Sequence, residues 1–162
     1  MNDTPQTTIE IWNELSETER RRMTGEARQE LRDADTSFRA NGDVLRSAIK
    51  EASRKGRYVT ANGAGNVNSA AYDGLNALHR AFASIRLLQL AGVLGSDSVG
   101  DIIVRGLDVN IQLSSYALAA IMGRVSDSDV VKKLERRGKQ LESAVDQAER
   151  YVQAMLARSV ER

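Results

Sequence analysis

The chain has 162 residues, 23 Lys and Arg against 22 Asp and Glu, one histidine and no cysteine. That length buries a core without disulfide or metal staples, and the absence of cysteine excludes thiolate metal sites and fits a reducing, cytoplasmic setting. With a net charge of only +1, attraction to nucleic acid or to a membrane has to come from local clustering of charge.

A single proline, few aromatic residues and abundant Ala, Leu, Arg and Glu describe a chain built almost wholly of helices. The expected fold is all-α: one domain over 1–162, a bundle of about five helices whose first and last are long and coiled-coil-like. Residues 1–8, "MNDTPQTT", lack a basic segment followed by an apolar one and read as a flexible arm. Trp12, with Ile9 and Ile11, either caps the core or docks on another molecule.

Ser16 and Glu19 form a capping box that starts a helix near Glu17. An apolar stripe follows, with Leu31, Phe38, Leu45 and Ala52 at one heptad position and Ala27, Ala34, Asn41 and Ala48 at the other. Asn41-Gly42 has the composition of a helix stop, yet the register passes through it unchanged. Residues 17–55 therefore form either one helix or two. A Gly/Asn loop is expected over 56–69, then a helix from Ala70 to Leu94 with Leu75, Leu78, Phe82 and Ile85 on one face.

Gly95 and the following "SDS" reverse the chain, and Ser98 with Asp101 offers a second capping box. The next helix, Val99 to about Met122, keeps Asp101, Arg105, Asp108, Gln112 and Ser115 on one narrow line, so the rest of its surface calls for burial. Polar residues interrupt the apolar stretch from Ala81 to Met122 often enough to exclude a bilayer-spanning helix. Val125, Ser126, Asp129 and Val130 combine a hydrophobic staple with a capping box. The last helix then carries Val131, Gly138, Val145 and Val152 at one seam position and Leu134, Leu141, Ala148 and Met155 at the other.

Few residues suggest chemistry. Gly63, Gly65 and Asn68 occupy the glycine positions of a dinucleotide-binding loop, but no βαβ pattern surrounds them and no P-loop lysine follows. Anion contact through the Gly63–Ser69 segment stays open as a minor reading. His79 has no carboxylate, Ser or Cys at readable spacing and is expected to be a packed or edge residue. Arg86, Asp101, Arg105 and Asp108 read as a partly buried ion-pair network on the two most apolar helices. No catalytic set, metal or cofactor is expected.

Basic residues are more suggestive. Arg32, Arg39 and Arg46 recur every seven residues, Arg54, Lys55 and Arg57 extend that line, and Lys132, Lys133, Arg136, Arg137 and Lys139 form a second cluster. Such rows track phosphates without reading sequence. Glu135, Glu142 and Glu149 also recur every seven residues, so antiparallel packing of the two long helices would set them against the arginine row and neutralise it.

A cysteine-free helical chain of this length with basic flanks resembles the small helical subunits lining the belly of CRISPR effector ribonucleoproteins, and "TANGAGNVNSAAYDGL" is similar to the Asn-Gly turn and following helix in some of them. The resemblance implies a non-enzymatic protein that stacks with its own copies and holds RNA or single-stranded DNA by the backbone. The functional expectation is a self-associating subunit of a larger nucleoprotein assembly. The alternatives are a protein-only scaffold or virion component and a small-nucleotide binder.

Overall fold

A computed structural model describes residues 7–53, 61–121 and 128–160, which form five helices and no strand: α1 (Thr8–Glu14), α2 (Glu17–Ser53), α3 (Ala61–Leu90), α4 (Val99–Ile121) and α5 (Ser128–Val160). The fold is an all-α bundle. The Ser16 capping box forms as expected, with the Ser16 amide donating to Glu19 Oε2 at 2.8 Å and the Glu19 amide donating to Ser16 Oγ at 3.2 Å. These bonds lower the Glu19 pKa. A matching box between Thr7 and Glu10 starts α1.

The register through Asn41-Gly42 decides for one helix. Asn41 donates its side-chain amide to the Ser37 carbonyl at 2.9 Å, folding back on its own helix. Gly42 is buried because α5 passes over it: a Cβ there would run into the Glu149 carboxylate and lie 3.4 Å from Val145 Cγ1. Two residues that stop an isolated helix here bring a second helix close.

Contacts fix the topology. Glu30 pairs with Arg80, and Phe38 lies by Gly74, so α2 and α3 run antiparallel. Arg86 meets Asp101 across an antiparallel α3–α4 pair, Tyr151 meets Asp97 at the start of α4, and Arg46 meets Asp146 and Glu149 of α5. α2 to α5 thus go up, down, up and down, with α5 returning beside α2. Leu31, Phe38, Leu45, Leu78, Ile85, Leu88, Leu107, Ile111, Leu141 and Val152 are fully buried. Each contributes about 1.5–3 kcal/mol by leaving water. Both seams read from sequence supply this core, with Ala48 partly buried against it and Asn41 half-buried at its edge.

Three local expectations are corrected. The Gly/Asn segment is helical from Ala61 onward, while 56–60 lie outside the described residues. A glycine costs a helix only about 1 kcal/mol relative to alanine, and buried Ala70, Ala71 and Leu75 anchor a helix that extends toward the N-terminus. The reversal after α3 is made by Gly92 rather than Gly95. Gly92 has φ +74°, its amide donates to Gln89 O at 3.1 Å, and the Val93 amide donates to Leu88 O at 2.9 Å, which together form a Schellman cap. Asp97, not Ser98, caps α4 by accepting from the Gly100 amide at 3.2 Å. The Ser126 start signal lies outside the described residues.

Trp12 is buried against the start of α2, where Arg20 donates to the carbonyls of Trp12 and Asn13 at 3.1 and 2.7 Å. It caps that end of the bundle, while Ile9 and Ile11 stay exposed. No described helix is long and apolar enough to cross a membrane.

Two glycines make opposite predictions. A Cβ on Gly74 would sit 3.9 Å from Asn41 Cβ and Phe38 Cε2, in ordinary contact beside a void of about 10 Å³. Gly74→Ala should therefore raise stability by about 1 kcal/mol in urea unfolding. A Cβ on Gly100 would meet Tyr151 Oη at 2.5 Å and Phe82 Cζ at 2.8 Å. Gly100→Ala should cost about 1–3 kcal/mol in the same assay.

Candidate interaction surfaces

The arginine row on α2 is largely occupied. Arg46 reaches Glu149 at 2.8 and 3.1 Å, Asp146 at 2.5 Å and Asp43 at 3.3 Å, with its side chain 30% exposed and that of Glu149 only 16%. The hydrogen bonding to Glu149 raises the Arg46 pKa, burial opposes this, and Asp146 adds to it. Of the glutamate row, then, Glu149 meets one arginine of the row, Arg46, and Asp146 joins it. Glu142 is half-buried and Glu135 exposed.

Arg39 lies 2.8 Å from Asp35, whose side chain is 2% exposed and whose Oδ1 is buried without a partner. Drawing Arg39 toward a phosphate would strip Asp35 of its compensating charge. Arg32 is exposed, and among the described residues its side chain makes only a 3.4 Å hydrogen bond to Gln29. Arg54, Lys55 and Arg57 lie outside the described residues. A continuous phosphate-tracking row is thus absent from the described part of α2, because the turn facing α5 spends Arg46 on carboxylates and a buried aspartate spends Arg39.

The α5 cluster differs. Lys132, Arg136 and Lys139 are exposed, and none has a carboxylate partner among the described residues. Their spacing of four and then three places them on one outward face over about 10.5 Å. Arg137 is half-buried and donates to the exposed Gln140 at 3.1 Å. The Lys133 side chain lies outside the described residues.

The expected ion-pair network shrinks to one pair, Arg86 with Asp101 at 2.5 Å, both substantially exposed, with the Arg86 guanidinium 5.1 Å from the Phe82 ring centroid. Arg105 is exposed and unpaired among the described residues, and Asp108 accepts from Gln112 at 3.0 Å. The polar line of α4 follows the solvent edge beside α3, so its charges did not have to be paired. His79 is exposed. At the head of α4, Tyr151 donates to Asp97 at 3.1 Å, and burial first, then the Asp97 charge, pushes the phenol up to about 12.

The remaining surface of α4 is apolar and uncovered. Val99, Ile102, Val109 and Leu113 are 52, 68, 52 and 42% exposed, and nothing lies within 4 Å of a Cβ built on Gly106 between them. Sequence pattern flagged this helix as wanting burial but did not show which side would stay open.

The Gly63–Ser69 segment is inside α3, so the amides from Gly65 onward point to carbonyls four residues back and are not free to cradle an anion. Among the described residues no group of three or more His, Asp or Glu is placed to hold a metal ion. No protein-family model, curated protein or solved structure matches this chain. The resemblance to CRISPR belly subunits gains no support there, and the segment that carried it is continuous helix from Ala61 rather than a turn.

Arg46→Ala leaves Glu149 without its partner and should cost about 2 kcal/mol in urea unfolding, whereas Arg32→Ala should stay within about 0.5 kcal/mol. Tyr151 predicts a pH effect. Its folded pKa of about 12 lies above the ordinary phenol value of 10.0, so the folded state holds the proton more tightly. Its contribution is complete below pH 10 and is lost as pH rises toward 12. Tyr151→Phe should lower stability at pH 8 and flatten the alkaline fall in Tm.

Proposed function

We propose that this protein is a non-enzymatic helical subunit that self-associates within a larger assembly and touches nucleic-acid backbone through the outer face of α5. The observation that carries the assembly reading is the uncovered stripe of Val99, Ile102, Val109 and Leu113. Soluble monomers seldom leave a contiguous apolar face open, and such faces mark interaction sites. Nothing in this role calls for a cofactor.

Lys132, Arg136 and Lys139 support the nucleic-acid half, since they are exposed and have no carboxylate partner among the described residues. With few aromatic residues in the chain, contact goes to phosphate and not to stacked bases. A protein-only scaffold is the second reading, favoured by the engagement of Arg39 and Arg46 with carboxylates.

Two measurements separate these readings. Native mass with and without nuclease should show an oligomer in both cases, and a nuclease-sensitive part if nucleic acid is bound. Electrophoretic titration of single-stranded RNA and DNA at low and high salt should show binding that weakens with salt. The triple variant Lys132→Glu, Arg136→Glu and Lys139→Glu should abolish it without loss of helicity. Oligomers that bind neither nucleic acid at low salt leave the scaffold reading.

A further inference from the structure

On α4, Val99, Ile102, Gly106, Val109 and Leu113 follow one another at steps of three, four, three and four. That is a complete coiled-coil seam over about 21 Å, and no other described helix covers it. Gly106 is its oddest member. It is exposed, mid-helix and free of any neighbour that would exclude a side chain, so the fold of the single chain gains nothing from it and loses about 1 kcal/mol relative to alanine.

We infer that α4 is the contact face of a symmetric antiparallel dimer, in which the seam of one copy packs on the seam of a second. The inference deepens the assembly reading above and rests on it. With the two helices antiparallel, Gly106 of each copy faces Val109 of the other, and Ile102 faces Leu113. The missing side chain at Gly106 becomes a hole for the valine knob and lets the helices approach closely. A glycine that the single chain does not need thereby acquires a reason.

Charge selects a second copy and the antiparallel sense. Arg105 flanks the seam, exposed and unpaired among the described residues, and Asp108 on the same flank accepts from Gln112. In the antiparallel arrangement the same flanks meet, so Arg105 of each copy comes level with Asp108 of the other within about 3 Å along the axis, giving two reciprocal ion pairs. A parallel pair would instead set Arg105 against Asn110, with no carboxylate to meet it. Self-complementarity of this kind, one patch serving both sides, is what a twofold interface requires.

The seam is one helix wide and covers less than the roughly 800 Å² per partner of a standard interface. The dimer is accordingly of micromolar strength. Sedimentation equilibrium of the full chain from about 1 to about 100 µM tests this. The wild-type chain should pass from monomer to dimer across the range. Ile102→Asp and Gly106→Leu should each weaken association at least about tenfold. Gly106→Leu should leave thermal stability at low concentration equal or higher, so its effect cannot be ascribed to unfolding. Arg105→Asp should weaken the dimer, and the swap Arg105→Asp with Asp108→Arg should restore it.

Oligomers that ignore Ile102→Asp and Gly106→Leu would overturn this surface and leave the assembly reading standing. A chain that stays monomeric throughout would overturn both. If the apolar variants dissociate the dimer but the charge swap does not restore it, the antiparallel arrangement is wrong.

Discussion

Gly42 and Arg46 stand one turn apart on α2, and between them they fix how the last helix returns to the first long one. The absent side chain at Gly42 admits Val145 and the Glu149 carboxylate to the surface of α2, and Arg46 then grips Glu149 and Asp146, about 100 residues away in sequence. The apolar seams alone would leave this register open. Val145 and Val152, or Leu141 and Ala148, repeat every seven residues, so α5 sliding by one heptad would meet the same kind of surface. The notch and the charge pair occur once and choose one setting. Part exposure keeps the energy of the pair modest, about 1–2 kcal/mol, and its larger contribution is to select that register.

Once α5 is set against α2, α4 has only one side to bury. Leu107 and Ile111 enter the core, and Gly100 lets the helix start between Phe82 and the Tyr151 hydroxyl. Asp97 ties that corner together by capping α4 and accepting the Tyr151 proton donor at once. The opposite side of α4 stays exposed, because α3 and α5 flank the helix and neither α1 nor α2 covers that side. An apolar face is therefore a consequence of bundle geometry acting on a helix that is apolar on two sides.

The sequence pattern revealed the bundle's long elements because both depend on sustained periodicity. Leu31, Phe38 and Leu45 keep their register through Asn41-Gly42, and that register outweighs the local stop signal since a buried glycine and a self-bonded asparagine serve packing as well as turns. Short-range signals were less reliable for the same reason in reverse. Gly63 and Gly65 read as loop, but their helical cost is small beside the burial of Ala70, Ala71 and Leu75 on the same helix. Glu149 opposite the arginine row was legible as a heptad coincidence. The bond between Arg39 and Asp35 was not, because nothing in a residue's identity says that an aspartate one turn away will be buried.

Charge accounting links the two proposed surfaces. With Arg39 and Arg46 held by carboxylates, the described outer face of α5 offers Lys132, Arg136 and Lys139 as its unspent cations. Neutralising about three phosphates gives a salt slope of only about −2 to −3 and a correspondingly weak grip from one copy. A pair of copies joined through α4 would present two such faces to one strand, and the second contact would then form at the high effective concentration set by the dimer. Affinity for a polyanion would in that case be a property of the assembly, acquired on dimerisation and lost on dilution. The near-neutral net charge of the chain fits that ordering, since a monomer of this composition has no long-range field with which to capture nucleic acid by itself.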